Sequence, residues 1–199
     1  MATTAEKVRE LRDKTGAGVM DCKEALSASG EDLEKAVDFL RKKGLASASK
    51  RAHREARDGV VSAYIHAGAK LGVLIEVNCE TDFVARTEQF QDLVKGLAMQ
   101  VAAANPQWVS RDQVPPEVVE REREIYRQQM ADQKKPAPVL EKIIEGKLTK
   151  FYEDSCLVDQ AYIRDVSGKL RVGDLVSQVS AQTGEKIAVR RFVRFQVGE

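Results

Sequence analysis

The sequence predicts an α+β protein: a three-helix module, a basic helical linker, and a small antiparallel sheet covered by helices. Three observations predict it. Short helical apolar patterns separated by glycines fill the first sixty residues, residues 61–79 alternate with the period of two of a β-hairpin, and a long amphipathic helical face follows at 90–102. Strands joined by a hairpin, with helices elsewhere in the chain, argue against a wound parallel sheet. The division this implies is a helical module with its basic linker over 1–55 and an α+β core over 56–199.

The elements follow in order. Val8 and Leu11 sit three apart after the candidate cap Thr4, and Thr15-Gly16-Ala17-Gly18 ends that helix in a tight turn. A second short helix carries Met20, Ala25 and Leu26 and ends near Ser29-Gly30. The third starts at about Asp32 with Leu33, Ala36, Val37 and Leu40 in one stripe. Acidic residues in its first turn, and Arg41, Lys42 and Lys43 in its last, complement the helix dipole. Residues 45–57 alternate small residues with bases. They read either as an RNA-binding stripe or as a solvated linking helix. The second reading is favoured because no aromatic side chain interleaves the bases for stacking.

Val61, Ala63 and Ile65 alternate with Ser62, Tyr64 and His66, which predicts a half-buried strand. Leu71, Val73, Ile75, Val77 and Cys79 form the apolar phase of its hairpin partner. Phe90, Leu93, Val94, Leu97, Ala98, Val101 and Ala102 then share one helical face, and Asn105-Pro106 ends it. Val114-Pro115-Pro116 is a break, followed by a charged helix from Glu117 to about Gln133. Pro136-Ala137-Pro138 interrupts before a helix over 139–152. A short helix over 172–179 precedes Thr183-Gly184. The last strand has Ile187, Val189, Val193, Phe195 and Val197 in phase, Arg190, Phe192 and Arg194 on the other face, and Arg191 marking an edge or an interface.

Composition excludes several functions. Of 199 residues, 43% are hydrophobic and 32% charged, enough for a core and a charged surface. Lys and Arg total 32 against 31 for Asp and Glu, too balanced for a protein that coats nucleic acid, so no direct nucleic-acid partner is expected. No apolar run is long enough to span a bilayer, and the first residues lack a secretory pattern, so a cytoplasmic location and no membrane partner are expected. Three scattered cysteines (Cys22, Cys79, Cys156) and two histidines (His53, His66) form neither a disulfide framework nor a metal site. There is no Walker A loop, dinucleotide fingerprint, nucleophile elbow or HExxH motif. Neither an enzyme, a cofactor nor a metal is expected. A Cys79–His66 nucleophile–base pair is the one catalytic alternative, and Cys79 reads better as a small core residue of its strand.

At the strand exit, Glu76-Val77-Asn78-Cys79-Glu80-Thr81-Asp82-Phe83-Val84-Ala85-Arg86, the alternation stops before the next helical face begins. A Phe beside a carboxylate at such a turn can project as a probe. On spacing alone, the commoner outcome is a Phe packed under the turn and an Asp that caps the helix. The stretch from Leu11 to Leu26 resembles the amino-terminal motif of the translation elongation factor Ts family, and Glu76–Ala85 resembles that family's second signature. Residues 191–199 are similar to the end of the family core, so the resemblance spans essentially the whole chain. It favours the projecting Phe.

The resemblance implies a guanine nucleotide exchange factor that binds elongation factor Tu in its nucleotide-free and guanosine diphosphate forms. It also implies an amino-terminal module like a ubiquitin-associated domain. Arg12, Val19 and Met20 match positions that meet the partner's nucleotide-binding domain. Thr81, Asp82, Phe83 and Val84 match the segment that intrudes near the partner's magnesium, and His66 is similar to a core residue that touches a more distant partner domain. Long family members repeat the sheet module and add a coiled-coil excursion and a carboxy-terminal helix. With one hairpin-and-helix segment, this chain is read as a short form. Its lone sheet would expose Phe192 or Phe195, which predicts a homodimer through the sheet domain, the core acting as dimerisation domain.

Overall fold

A computed structural model describes residues 4–130 and 136–199. Among them the order is α1 (Thr4–Thr15), α2 (Val19–Ala28), α3 (Leu33–Arg51), β1 (Asp58–Ile65), β2 (Leu71–Cys79), α4 (Asp82–Ala85), α5 (Glu88–Ala104), α6 (Pro116–Gln129), α7 (Ala137–Ser155), α8 (Val172–Thr183) and β3 (Ala188–Gln196). Single 3-10 turns cover Arg111–Gln113 and Leu157–Asp159. The strands form one antiparallel sheet in the order β1-β2-β3. The α+β architecture is therefore as expected. By contact the chain divides into two compact units, Met1–Val60 with Val77–Leu93 and Asp174–Ala188, and Val61–Glu76 with Val94–Gly173 and Val189–Glu199.

In the first unit, α1, α2 and α3 close on a small core of Val8, Leu11, Cys22, Ala25, Leu26 and Ala36, edged by Leu33, Val37 and Leu40. Each buried Val or Leu side chain there contributes roughly 1.5–3 kcal/mol. Thr4 is the first helical residue of α1, and its hydroxyl donates to Glu31. The turn after α1 depends on Gly16: its φ is +65°, and a Cβ there would run into the Gln182 amide, which donates to the Thr15 carbonyl at 2.6 Å. Asp32 caps α3 by accepting from Lys35 N.

The third helix departs from expectation at its end. It runs on to Arg51, so Arg41–Lys43 lie mid-helix. Buried Gly44 lets it pass against Ala181 of α8, and the bases are used as ion partners along the way. Arg41 pairs with the buried Asp174, and Lys43 with Asp21 and Glu24, which raise the Lys43 pKa. Arg51 donates to the Ser180 carbonyl, so the basic segment is bound to its own unit rather than wholly solvated.

In the second unit, His66 N donates to Leu71 O and Val197 N to Lys70 O, fixing both strand registers. Val73 and Ile75 are buried on the face that meets α5, where Arg194 reaches the Ala102 carbonyl. The alternation in β1 therefore faces the other way from the half-buried strand expected: Val61 is 68% and Ile65 64% exposed, with Leu74, Val193 and Phe195 exposed on the same side. Only one face of the sheet is covered by α5. Arg191 lies on the open face and pairs with Glu76 at 2.7 Å, on the edge strand β3.

The amphipathic face expected for α5 is buried throughout, from Phe90 to Ala102. The charged helix α6 ends at Gln129, and its expected end near Gln133 lies outside the described residues. Pro136-Ala137-Pro138 does not precede α7 but begins it, since the first turn of a helix needs no amide donors. The two helices share a core of Met130, Ile144 and Leu148, with Val119, Tyr126 and Leu140 packed on it. Fully buried Gln100 donates to Gln160 and to the Ala161 carbonyl and accepts from Ile163 N, binding α5 to the 160–163 loop.

Candidate functional site

The strand exit folds into one tight feature. After β2 the chain turns through Glu80 and Thr81 into the single helical turn α4. Thr81, not Asp82, is the cap: its Oγ1 accepts from Val84 N at 3.4 Å. Val84 and Ala85 are buried and anchor the turn, whereas Phe83 is 79% exposed. The aromatic ring therefore stands outside the core instead of packing beneath the turn. Asp82 pairs with Arg86 one turn on at 2.8 Å.

Beneath the turn, Cys79 is buried, and its thiol donates to the Thr81 carbonyl at 3.1 Å. Burial, and then the charges of Glu185 and Asp58, push that thiol from 9.0 up to about 11. A thiolate nucleophile is disfavoured there. Cys79 belongs to the first unit and His66 to the second, and the His66 Nδ1 lies 2.9 Å from the Tyr64 hydroxyl.

Sequence reasoning missed the residues that hold the turn. The Glu185 carboxylate accepts from the backbone N–H groups of Glu80 and Thr81, both at 3.0 Å, and from the Thr81 hydroxyl at 2.6 Å. In return, the Glu80 carboxylate accepts from Lys186 N at 2.5 Å and from Arg54 at 3.3 Å. The Lys186 amide, with Arg54 assisting, holds the Glu80 carboxyl below its ordinary range. Only the turn glycine Gly184 signals this loop in the sequence, and nothing local shows that a carboxylate 104 residues after Thr81 reaches it.

The expected docking residues lie at the surface. Met20 is 75% exposed, and Val19 and Arg12 are exposed as well. Arg12 and Val19 border a cleft of about 340 Å³ that Arg41, Gln178 and Gln182 also line. His66 is exposed just past the end of β1. Among the described residues no group of three or more His, Cys, Asp or Glu could hold a metal ion, and no helix is long and apolar enough to cross a membrane.

The described residues combine a helical module and a small antiparallel sheet with an exposed Phe83 on a turn held by Glu185, the features of an α+β protein with no enzyme-like cluster at that turn. Comparison with known proteins gives the family. The family model described as elongation factor TS matches residues 46–199. The chain is 55% identical over 199 residues to elongation factor Ts of Thermodesulfovibrio yellowstonii, covering 100% of this chain and 98% of that one. It is 52% identical to elongation factor Ts of Fervidobacterium nodosum, covering the full length of both, and 57% identical over 195 residues to that of an Anaeromyxobacter strain, covering 98% and 88%. The chain belongs to the elongation factor Ts family. Membership puts it among the translation elongation factors.

Proposed function

We propose that this chain is a guanine nucleotide exchange factor of the cytoplasm, binding elongation factor Tu with guanosine diphosphate and promoting release of the nucleotide. The observation that carries the reading is Phe83, 79% exposed on a turn whose entry, at the N–H groups of Glu80 and Thr81, is held by Glu185. A ring presented on a short, hydrogen-bonded turn reaches a partner's pocket with little ordering cost, and aromatic anchors of this kind supply much of the energy of interfaces.

The chemistry requires no catalytic acid, base or cofactor. A protein that binds the nucleotide-free partner more tightly than the loaded one weakens nucleotide binding by the same factor. Burying one Phe contributes on the order of 1.5–3 kcal/mol, and about 1.4 kcal/mol is a tenfold change in affinity. Phe83 thus supplies about one to two decades of exchange. Thr81, Asp82, Phe83 and Val84 act together: Val84 anchors the turn, Thr81 caps it, Phe83 inserts, and Asp82 brings a carboxylate to the partner's magnesium, which is dislodged. Arg12, Val19 and Met20 dock the module over 1–55, and His66 adds a contact from the core over 56–199. The core also pairs two copies of the chain into a homodimer.

The test is release of fluorescently labelled guanosine diphosphate from purified elongation factor Tu. Catalytic amounts of the chain should accelerate it, and a folded sample without effect over a wide concentration range rejects the function. An RNA-associated role is the competing reading. It requires RNA binding that falls steeply with added salt.

A further inference from the structure

We propose that Glu185 is a positioning residue for the Phe83 turn, the central member of a carboxylate clasp that pre-orients the ring before a partner arrives. The inference rests on the exchange function proposed above. Where β2 ends, the N–H groups of Glu80 and Thr81 turn into the carboxylate of Glu185, one oxygen of which takes both while the other takes the Thr81 hydroxyl. Thr81 donates to Glu185 and still accepts from Val84 N, so one hydroxyl links the clasp to α4, the turn from which Phe83 projects two residues after Thr81. Hydrogen bonds from backbone N–H groups to a carboxylate are among the stronger ones in proteins.

The clasp is reciprocal and anchored. Glu80 in turn accepts from Lys186 N, and the Ser180 hydroxyl donates to the Glu185 carbonyl at 2.5 Å, fixing the loop to the end of α8. The Lys186 ammonium donates to the carbonyls of Ala52 at 2.7 Å and Arg54 at 2.8 Å. The Phe83 turn is thereby tied through one loop to the residues that follow α3, the helix of the docking module. Buried contacts under the ring cannot hold an exposed side chain such as Phe83. Its orientation comes from the backbone, and the backbone at 80–81 is held by Glu185. A ring held in place beforehand loses less ordering entropy on insertion.

The test combines exchange kinetics with amide hydrogen exchange. Glu185→Ala should lower the maximal rate of guanosine diphosphate release about tenfold, while the half-saturating concentration changes by less than about threefold. Glu185→Gln keeps one carbonyl oxygen for the two N–H donors and should fall in between. Combined with Phe83→Ala, Glu185→Ala should cause a much smaller further loss than in the wild-type background, because the turn it holds acts chiefly through the ring. In the free protein, the amides of Glu80 and Thr81 should exchange faster in Glu185→Ala with the rest of the pattern kept. Unchanged protection at those amides, wild-type release by a folded Glu185→Ala chain, or the same fold-loss with and without Phe83 overturns the positioning role. A wild-type chain that leaves release unaltered, with the amide effect present, overturns the exchange function instead and leaves the clasp as a structural brace only.

Discussion

At the scale of single residues, the site separates side chains that project from side chains that hold. Phe83 makes little contact with its own fold, so Phe83→Ala should cut exchange at least about tenfold while the melting temperature stays within a few degrees. A large loss of stability with exchange intact would return the ring to the core. Cys79 is the opposite case. Its thiol and that of Cys156 are each pushed from 9.0 up to about 11, first by burial and then by neighbouring carboxylates. The folded state therefore holds these protons more tightly than the unfolded state does. The stability they contribute is complete below pH 9 and declines as pH rises from 9 towards 11. Thiol labelling of the native protein at pH 8 should be slower than that of the denatured chain by about a hundredfold or more. Rapid labelling of Cys79 in the folded protein would reopen a thiol-based chemistry.

At the scale of elements, periodicity made most of the fold legible because the buried residues of α5 recur at the helical spacing and those of β2 at every second position. It failed where a segment's fate is set by distant chain. The end of α3 is one such place: small residues and bases around Gly44 look like a linker until Asp174 and Ala181 are brought beside them. β1 is another, since alternation reveals two faces but not which of them a helix covers. Spacing located the turn but favoured a packed Phe83, and only the family resemblance pointed to a projecting one; the brace was not legible at all, because Glu185 is an ordinary loop residue until the fold carries it to Thr81. The same interweaving decides how the docking module is best tested. Deleting residues 1–55 also removes Arg51 and Arg54, which bond to Ser180 and Glu80. Surface changes on α1 and α2 avoid this. Arg12→Ala and Met20→Ala should each raise the half-saturating concentration by about threefold to thirtyfold, at the level of ordinary interface truncations, with the maximal rate nearly kept. A fall in maximal rate at unchanged half-saturation would move these residues from docking to exchange.

At the scale of the whole molecule, the open sheet face is what a single copy leaves unsolved. Val61, Ile65, Leu74, Val193, Phe195 and Val197 are all exposed, and those within the strands share the face opposite α5. An apolar strip this continuous, ending at an edge strand, is either an interface or a route to aggregation. Arg191 and Glu76 pair upon it at 2.7 Å, leaving a neutral polar point amid the apolar side chains instead of a repelling charge. A two-fold axis through the face would set the same strip against itself, the commonest closed arrangement for soluble oligomers. The structure also narrows the choice between the two aromatic residues of β3: Phe195 is 68% exposed, while Phe192 is half-buried on the other side. Sedimentation equilibrium at micromolar concentration should therefore give about twice the monomer mass. Phe195→Glu should shift the protein towards monomer with its helical content intact, because most of that ring lies outside the chain's own packing, whereas Phe192→Glu should mainly lower the melting temperature. Monomeric mass across the accessible concentration range would reject the pairing, and dissociation by Phe192→Glu but not by Phe195→Glu would place the interface on the wrong face.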